Sequence, residues 1–74
     1  MGALSQIDGQ RMIKALIRLG WSLARVEGSH HILFAPGRAT LSVPVHRGRP
    51  LREGTARAIL RQASISPEEF LRAY

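Results

Sequence analysis

A chain of 74 residues with no cysteine and a net charge of +6 has room for one small domain, residues 1–74, and no covalent staple. At this length folding buries only about 60–65% of the unfolded surface, so stability must come from a modest packed core. Disulfides and thiolate-bound zinc are excluded, and no run is apolar for long enough to span a bilayer.

The stretch MGALSQIDGQR has no basic region followed by an apolar run, so no signal peptide is expected and the composition suits the cytoplasm. Met1-Gly2 with Ser5 is too slight a likeness to a myristoylation site to carry a reading. Eleven Lys and Arg oppose five acids, and ten of the eleven are arginine. The guanidinium fork suits phosphate better than the lysine point charge does. Nucleic acid, bound through phosphate contacts, is one partner that fits this balance; an acidic protein is another.

Taken in chain order, the first periodic segment is DGQRMIKALIRLG. Ile13, Leu16 and Ile17 fall at helical spacing with Met12 beside them, and Arg11, Lys14 and Arg18 share the opposite face. Asp8 is suited to the N-cap and Gly20 to the stop, which predicts a helix over about 9–19. Three strand-like runs follow: WSLARV (21–26), HHILFA (30–35) and ATLSVP (39–44). Gly28-Ser29 separates the first two and Pro36-Gly37-Arg38 the last two, so the pattern predicts an antiparallel meander. Pro44 ends the third strand or lies on an edge.

The loop VHRGRPLRE leads to a second helix, GTARAILRQA, with Ala56, Ile59, Leu60 and Ala63 on one stripe and Arg57 and Arg61 on another face. In SISPEEFLRAY, Ser66, Pro67 and Glu69 make a capping box for a short helix over 67–73, anchored by Phe70 and Leu71. Trp21, Met12 and Phe34 are expected in the core. Helices on one face of a three-stranded antiparallel sheet make an α+β fold, with the other face open to solvent or a ligand.

Few residues here can do chemistry. Asp8 and Glu69 have capping roles, and Glu53 suits the positive end of the second helix, which leaves only Glu27 and Glu68. There is no Gly-rich phosphate loop. Three histidines without cysteines or clustered acids make a poor metal site, so no metal and no small-molecule cofactor is expected. The adjacent His30 and His31 point to opposite faces of a strand. One faces the helices as a structural residue, and one faces away towards arginines.

An imidazole, which titrates near pH 6.5 as a residue type, can take or give a proton at neutral pH. Beside phosphate-binding arginines it could cleave RNA, taking the proton of a 2′-hydroxyl or protonating the leaving 5′-oxygen. Parity alone leaves open which histidine that is. Ile32 and Phe34 share a face with His30, and Leu33 and Ala35 share one with His31. His30 is exposed only if it stands at the strand's end beside the turn.

Gly20-Trp21, Arg25, Gly28-Ser29-His30, Pro44-Val45-His46 and Gly54-Thr55 with Ile59-Leu60-Arg61-Gln62-Ala63 form an ordered set over nearly the whole chain, from about Asp8 to Phe70. In this set the chain resembles the HicA toxin family, small mRNA interferases of bacterial toxin–antitoxin pairs. The resemblance implies a fold like that of double-stranded RNA-binding domains. It also implies that the one catalytic histidine is the one after Gly-Ser, His30, with no catalytic part for His31. The implied partners are mRNA and a HicB-type antitoxin that covers this histidine, with no membrane involved. The chain departs from the family pattern at Arg52 and Glu53, where lysine or proline often precedes Gly-Thr.

The leading expectation is therefore a metal-independent endoribonuclease toxin. Its RNA and phosphate contacts would be Gly28, Ser29, Arg25, Arg47, Arg49, Arg52 and Arg57. A non-catalytic RNA-binding module of the same fold is the alternative. A third reading is an interaction protein whose basic face serves an acidic partner.

Overall fold

A computed structural model describes residues 3–74, so Met1-Gly2 of the slight acylation motif lies outside the described residues. The order is α1 (Gly9–Arg18), β1 (Ser22–Glu27), β2 (His30–Phe34), β3 (Leu41–Pro44), α2 (Glu53–Ala63) and α3 (Pro67–Ala73). The strands form one antiparallel sheet in the order β1-β2-β3, with the helices packed against one face. This is the helix–meander–helix order expected from the sequence.

Local chemistry sets the helix ends. The Asp8 carboxylate accepts from the Arg11 N–H at 3.0 Å, satisfying a donor that the first turn leaves free. At the other end the Gly20 N–H reaches the Ile17 carbonyl and the Trp21 N–H reaches the Leu16 carbonyl. This double closure is a Schellman motif, with Gly20 at φ +106° and Trp21 folded into the core behind it. α2 ends the same way, through Ser64 and Ile65, but with a serine in the left-handed position at φ +58°. Ser66 caps α3 by accepting from the Glu69 N–H at 3.1 Å.

The core gathers Met12, Ala15 and Leu16 from α1, Leu33, Leu41 and Val43 from the sheet, Ala56, Leu60 and Ala63 from α2, and Phe70 from α3. Leu4 and Ile7, ahead of α1, join it, and Ile7 forms an isolated bridge with Leu51. The C-terminal helix is tied to α1 by polar contacts at the surface. Arg11 donates to the Tyr74 carbonyl at 3.0 Å and lies over its ring, Arg18 donates to the Ala73 carbonyl at 2.7 Å, and the Tyr74 hydroxyl accepts from the Asp8 N–H.

Three apolar residues expected inside lie outside. Ile17 sits on the flank of α1 that no strand covers, and Leu71 points off the docked side of α3. Phe34, at the end of β2 with only Ser22 registered beside it on β1, is 48% exposed, whereas Ile32 on the same face in mid-strand is buried. β1 is an edge strand with all six residues exposed, including Leu23 and Val26 on its inward side.

Candidate functional site

The Gly28-Ser29 turn joins Glu27 to His30, which face each other across the hairpin. Gly28 has φ +61° and Ser29 has no positive φ, the pattern of a two-residue type II′ turn, which calls for glycine at its first central position. The turn makes His30 the first residue of β2. The register then settles the parity left open by the sequence. His31 pairs with the fully buried Val43 and alternates with Leu33 and Ala35, so it belongs to the helix-facing side. Its Nδ1 is shut away from solvent without a hydrogen-bond partner among the described residues. His31 is a packing residue.

His30 is exposed on the opposite face. Its Nδ1 lies 3.1 Å from the Ser42 hydroxyl on β3, and among the described residues nothing bonds its Nε2. A serine hydroxyl both donates and accepts. Ser42 can therefore orient the ring whether Nδ1 carries a proton or not, and the outward nitrogen is left for a ligand. Nothing in the strand pattern ATLSVP marked Ser42, since a serine on a solvent face is common; only the cross-strand register brings it to His30.

The arginines expected to bind phosphate fall in four places. Arg25 shares the outer sheet face with His30 and is ion-paired with Glu27. Arg57 forks onto one carboxylate oxygen of Glu53 one helical turn earlier, at 3.1 and 3.2 Å, and lines a separate cleft with Leu4, Arg61 and Pro67. Both pairs are solvent-exposed and worth about 0–1 kcal/mol, so a phosphate can displace either carboxylate.

Arg49 and Arg52 meet around a cleft of about 260 Å³ with Pro44, His46 and Thr55. Pro44 is also the strand partner of His30. Arg47 stands at the tip of the turn His46–Arg49, closed by the Arg49 N–H on the His46 carbonyl at 3.0 Å. It faces a second cleft lined by Asp8, Gln10 and Val45. His46 borders both clefts.

Two backbone features hold this end of the sheet together. The Val45 N–H donates to the Ser29 carbonyl at 2.7 Å, carrying the ladder past Pro44, which has no N–H to give. Gly9, at the start of α1, lies so close that a Cβ there would stand 3.1 Å from the Pro44 carbonyl oxygen and 3.2 Å from Val45 Cγ2. Sequence reasoning did not single out Gly9. A glycine one residue after an N-cap is an ordinary helix start, and the close approach comes from a loop far along the chain.

A family model described as the HicA toxin of bacterial toxin–antitoxin systems matches residues 9–65 of the 74-residue chain. No curated protein matches it.

Proposed function

The chain belongs to the HicA toxin family of bacterial toxin–antitoxin systems, and on that premise we propose that it is an endoribonuclease that cleaves mRNA in the cytoplasm with His30 as its acid–base residue. The observation that carries this reading is the exposed His30 imidazole, braced at Nδ1 by Ser42 and free at Nε2. Nε2 takes the proton of a ribose 2′-hydroxyl, the 2′-oxygen attacks the adjacent phosphorus, and the bond to the 5′-oxygen breaks. The His30 imidazolium then gives that proton up to the leaving 5′-oxygen, directly or through water, which restores the neutral ring. The products are a 2′,3′-cyclic phosphate and a free 5′-hydroxyl.

In this reading Arg49 and Arg52, which line a cleft with Pro44, the strand partner of His30, offset the charge that builds on the phosphorane, and Arg25 and Arg47 hold the flanking strand. Arg57 lies farther away and serves the bound strand rather than the reacting phosphate. Gly28 and Ser29 bring the RNA backbone close to His30, because a turn without bulky side chains lets it approach. Every step is a proton transfer or a charge contact that these side chains supply, so the reaction proceeds without a metal ion. A HicB-type antitoxin with an acidic surface, matched to the net charge of +6, holds the toxin silent by covering His30.

Incubating the full chain with single-stranded RNA in EDTA tests the mechanism. Cleavage should persist, and the fragments should carry cyclic phosphate and 5′-hydroxyl ends. Cleavage that requires a divalent ion, or leaves 5′-phosphates, overturns it.

Ser42→Ala removes the brace and leaves the strand intact. Losing one neutral hydrogen bond of about 0.5–1.5 kcal/mol should slow cleavage roughly 2- to 10-fold, with RNA affinity unchanged. Ser42→Thr, which keeps a hydroxyl and suits a strand, should recover most of the rate. An unaltered rate in Ser42→Ala would show that the ring needs no orientation from β3.

A further inference from the structure

We propose that Phe34 is a base-stacking platform of the RNA site. The inference rests on the reading that the outer sheet face binds RNA, and it does not require that the RNA be cleaved. Phe34 shares its face with His30 through the alternation His30, Ile32, Phe34, confirmed by the registered pairs on either side. Four residues along a strand is about 13 Å, within reach of one short single-stranded segment.

The chain has four aromatic residues. Trp21 and Phe70 are buried, and Tyr74 is half-buried beneath Arg11. Phe34 alone offers its ring to solvent, with 48% of its surface exposed. Its registered neighbour on β1 is Ser22, a side chain too small to cover it.

An isolated exposed apolar residue needs no explanation. Phe34 differs because of what shares its face: a basic residue, Arg25, and the exposed imidazole. Exposed aromatics interleaved with cations on an open sheet are what single-stranded RNA requires. Its unpaired bases present π-faces to rings and its phosphates present charge to guanidinium groups. Double-stranded RNA keeps its base faces stacked away, so the ligand class indicated is single-stranded. With a base seated on Phe34, the strand is fixed at two points, and the phosphate delivered to His30 lies a set number of nucleotides away. Phe34 is thus a binding residue that also sets the register of cleavage.

The test measures binding apart from catalysis. In a His30→Ala background, so that the RNA stays intact, affinity for a mixed-sequence single-stranded oligonucleotide is read by fluorescence anisotropy. Phe34→Ala and Phe34→Leu should each weaken it roughly tenfold, and Phe34→Tyr should retain it. Circular dichroism and the melting midpoint should stay at the parent's values, since the ring is outside the core. Phe34→Trp should bind, and its emission should quench on adding RNA, a signal the buried Trp21 does not give.

Unchanged affinity in Phe34→Ala overturns the proposal, and so does full affinity in Phe34→Leu, because a leucine cannot stack. If RNA affinity holds while binding of an antitoxin weakens, the ring is a protein contact and the proposal fails. If Phe34→Ala loses RNA binding while the parent chain never cleaves RNA, the platform stands and only the nuclease reading falls.

Discussion

Induced at matched protein level in a bacterial host, the wild-type chain should arrest growth and degrade mRNA, and His30→Ala should do neither. The expected loss in cleavage rate is roughly 10²- to 10⁴-fold, the usual contribution of a positioned general acid–base group. Stability should not change, because His30 is exposed and its one bond, to Ser42, is of the kind that contributes about 1 kcal/mol or less at a surface. RNA affinity should survive too, since the arginines proposed to hold phosphate are untouched.

His31→Ala is the internal control. That residue packs against the core side of the sheet, so its loss lowers stability and leaves the chemistry of the remaining folded protein in place. If His30→Ala arrests growth as strongly as the wild type, the basic surface rather than the histidine carries the effect, and the nuclease reading is wrong. If neither protein is harmful and neither cleaves RNA in vitro, the chain is a binding module.

The elements that could be read in advance are those specified by neighbours in sequence. The Asp8 and Ser66 caps, the Gly20 stop and the Gly28-Ser29 turn each act over one to four residues, and each is where the residue types require it. What stayed hidden depends on partners far along the chain. The alternation in HHILF shows that two faces exist, but not which one the helices cover. Phe34 therefore looked like core; it is exposed at one end of β2 and His30 at the other, while Ile32 between them on the same face is buried. Ser42 became part of the site only through the β2–β3 register.

Leu4, Ile7 and Gly9 precede or open the first periodic segment, so no local pattern marks them. Ile7 bridges to Leu51, Gly9 is closed in by the Pro44-Val45 corner, and Leu4 lies against α2 beside Leu60. The arginines were legible as a class and not as a site. Only the fold divides them into the Arg49–Arg52 cleft, the Glu27-paired Arg25 and the Glu53-paired Arg57.

Phe70→Ala should abolish activity by a different route. Phe70 is fully buried and among the largest side chains in the core, with its ring 5.4 Å from that of Tyr74. Truncating a buried phenylalanine costs about 3–5 kcal/mol. A chain of this length holds a total of about 4–11 kcal/mol, so the loss takes from about a quarter to all of the margin. At about 4–8 °C per kcal/mol, the melting midpoint should fall by at least ~12 °C. The surface bonds that also tie α3 to α1, from Arg11 and Arg18, cannot compensate, because each is solvent-exposed.

The consequence for the site runs through α1. With α3 undocked, α1 loses a neighbour, and α1 is the element whose Gly9 sits against Pro44 and Val45, next to His30. Growth arrest should vanish together with soluble protein, whereas His30→Ala loses arrest at full protein level. Thermal melting followed by circular dichroism reads the difference directly. A fall below ~5 °C in Phe70→Ala would mean that α3 is dispensable, and that α1 and the sheet hold the site without it.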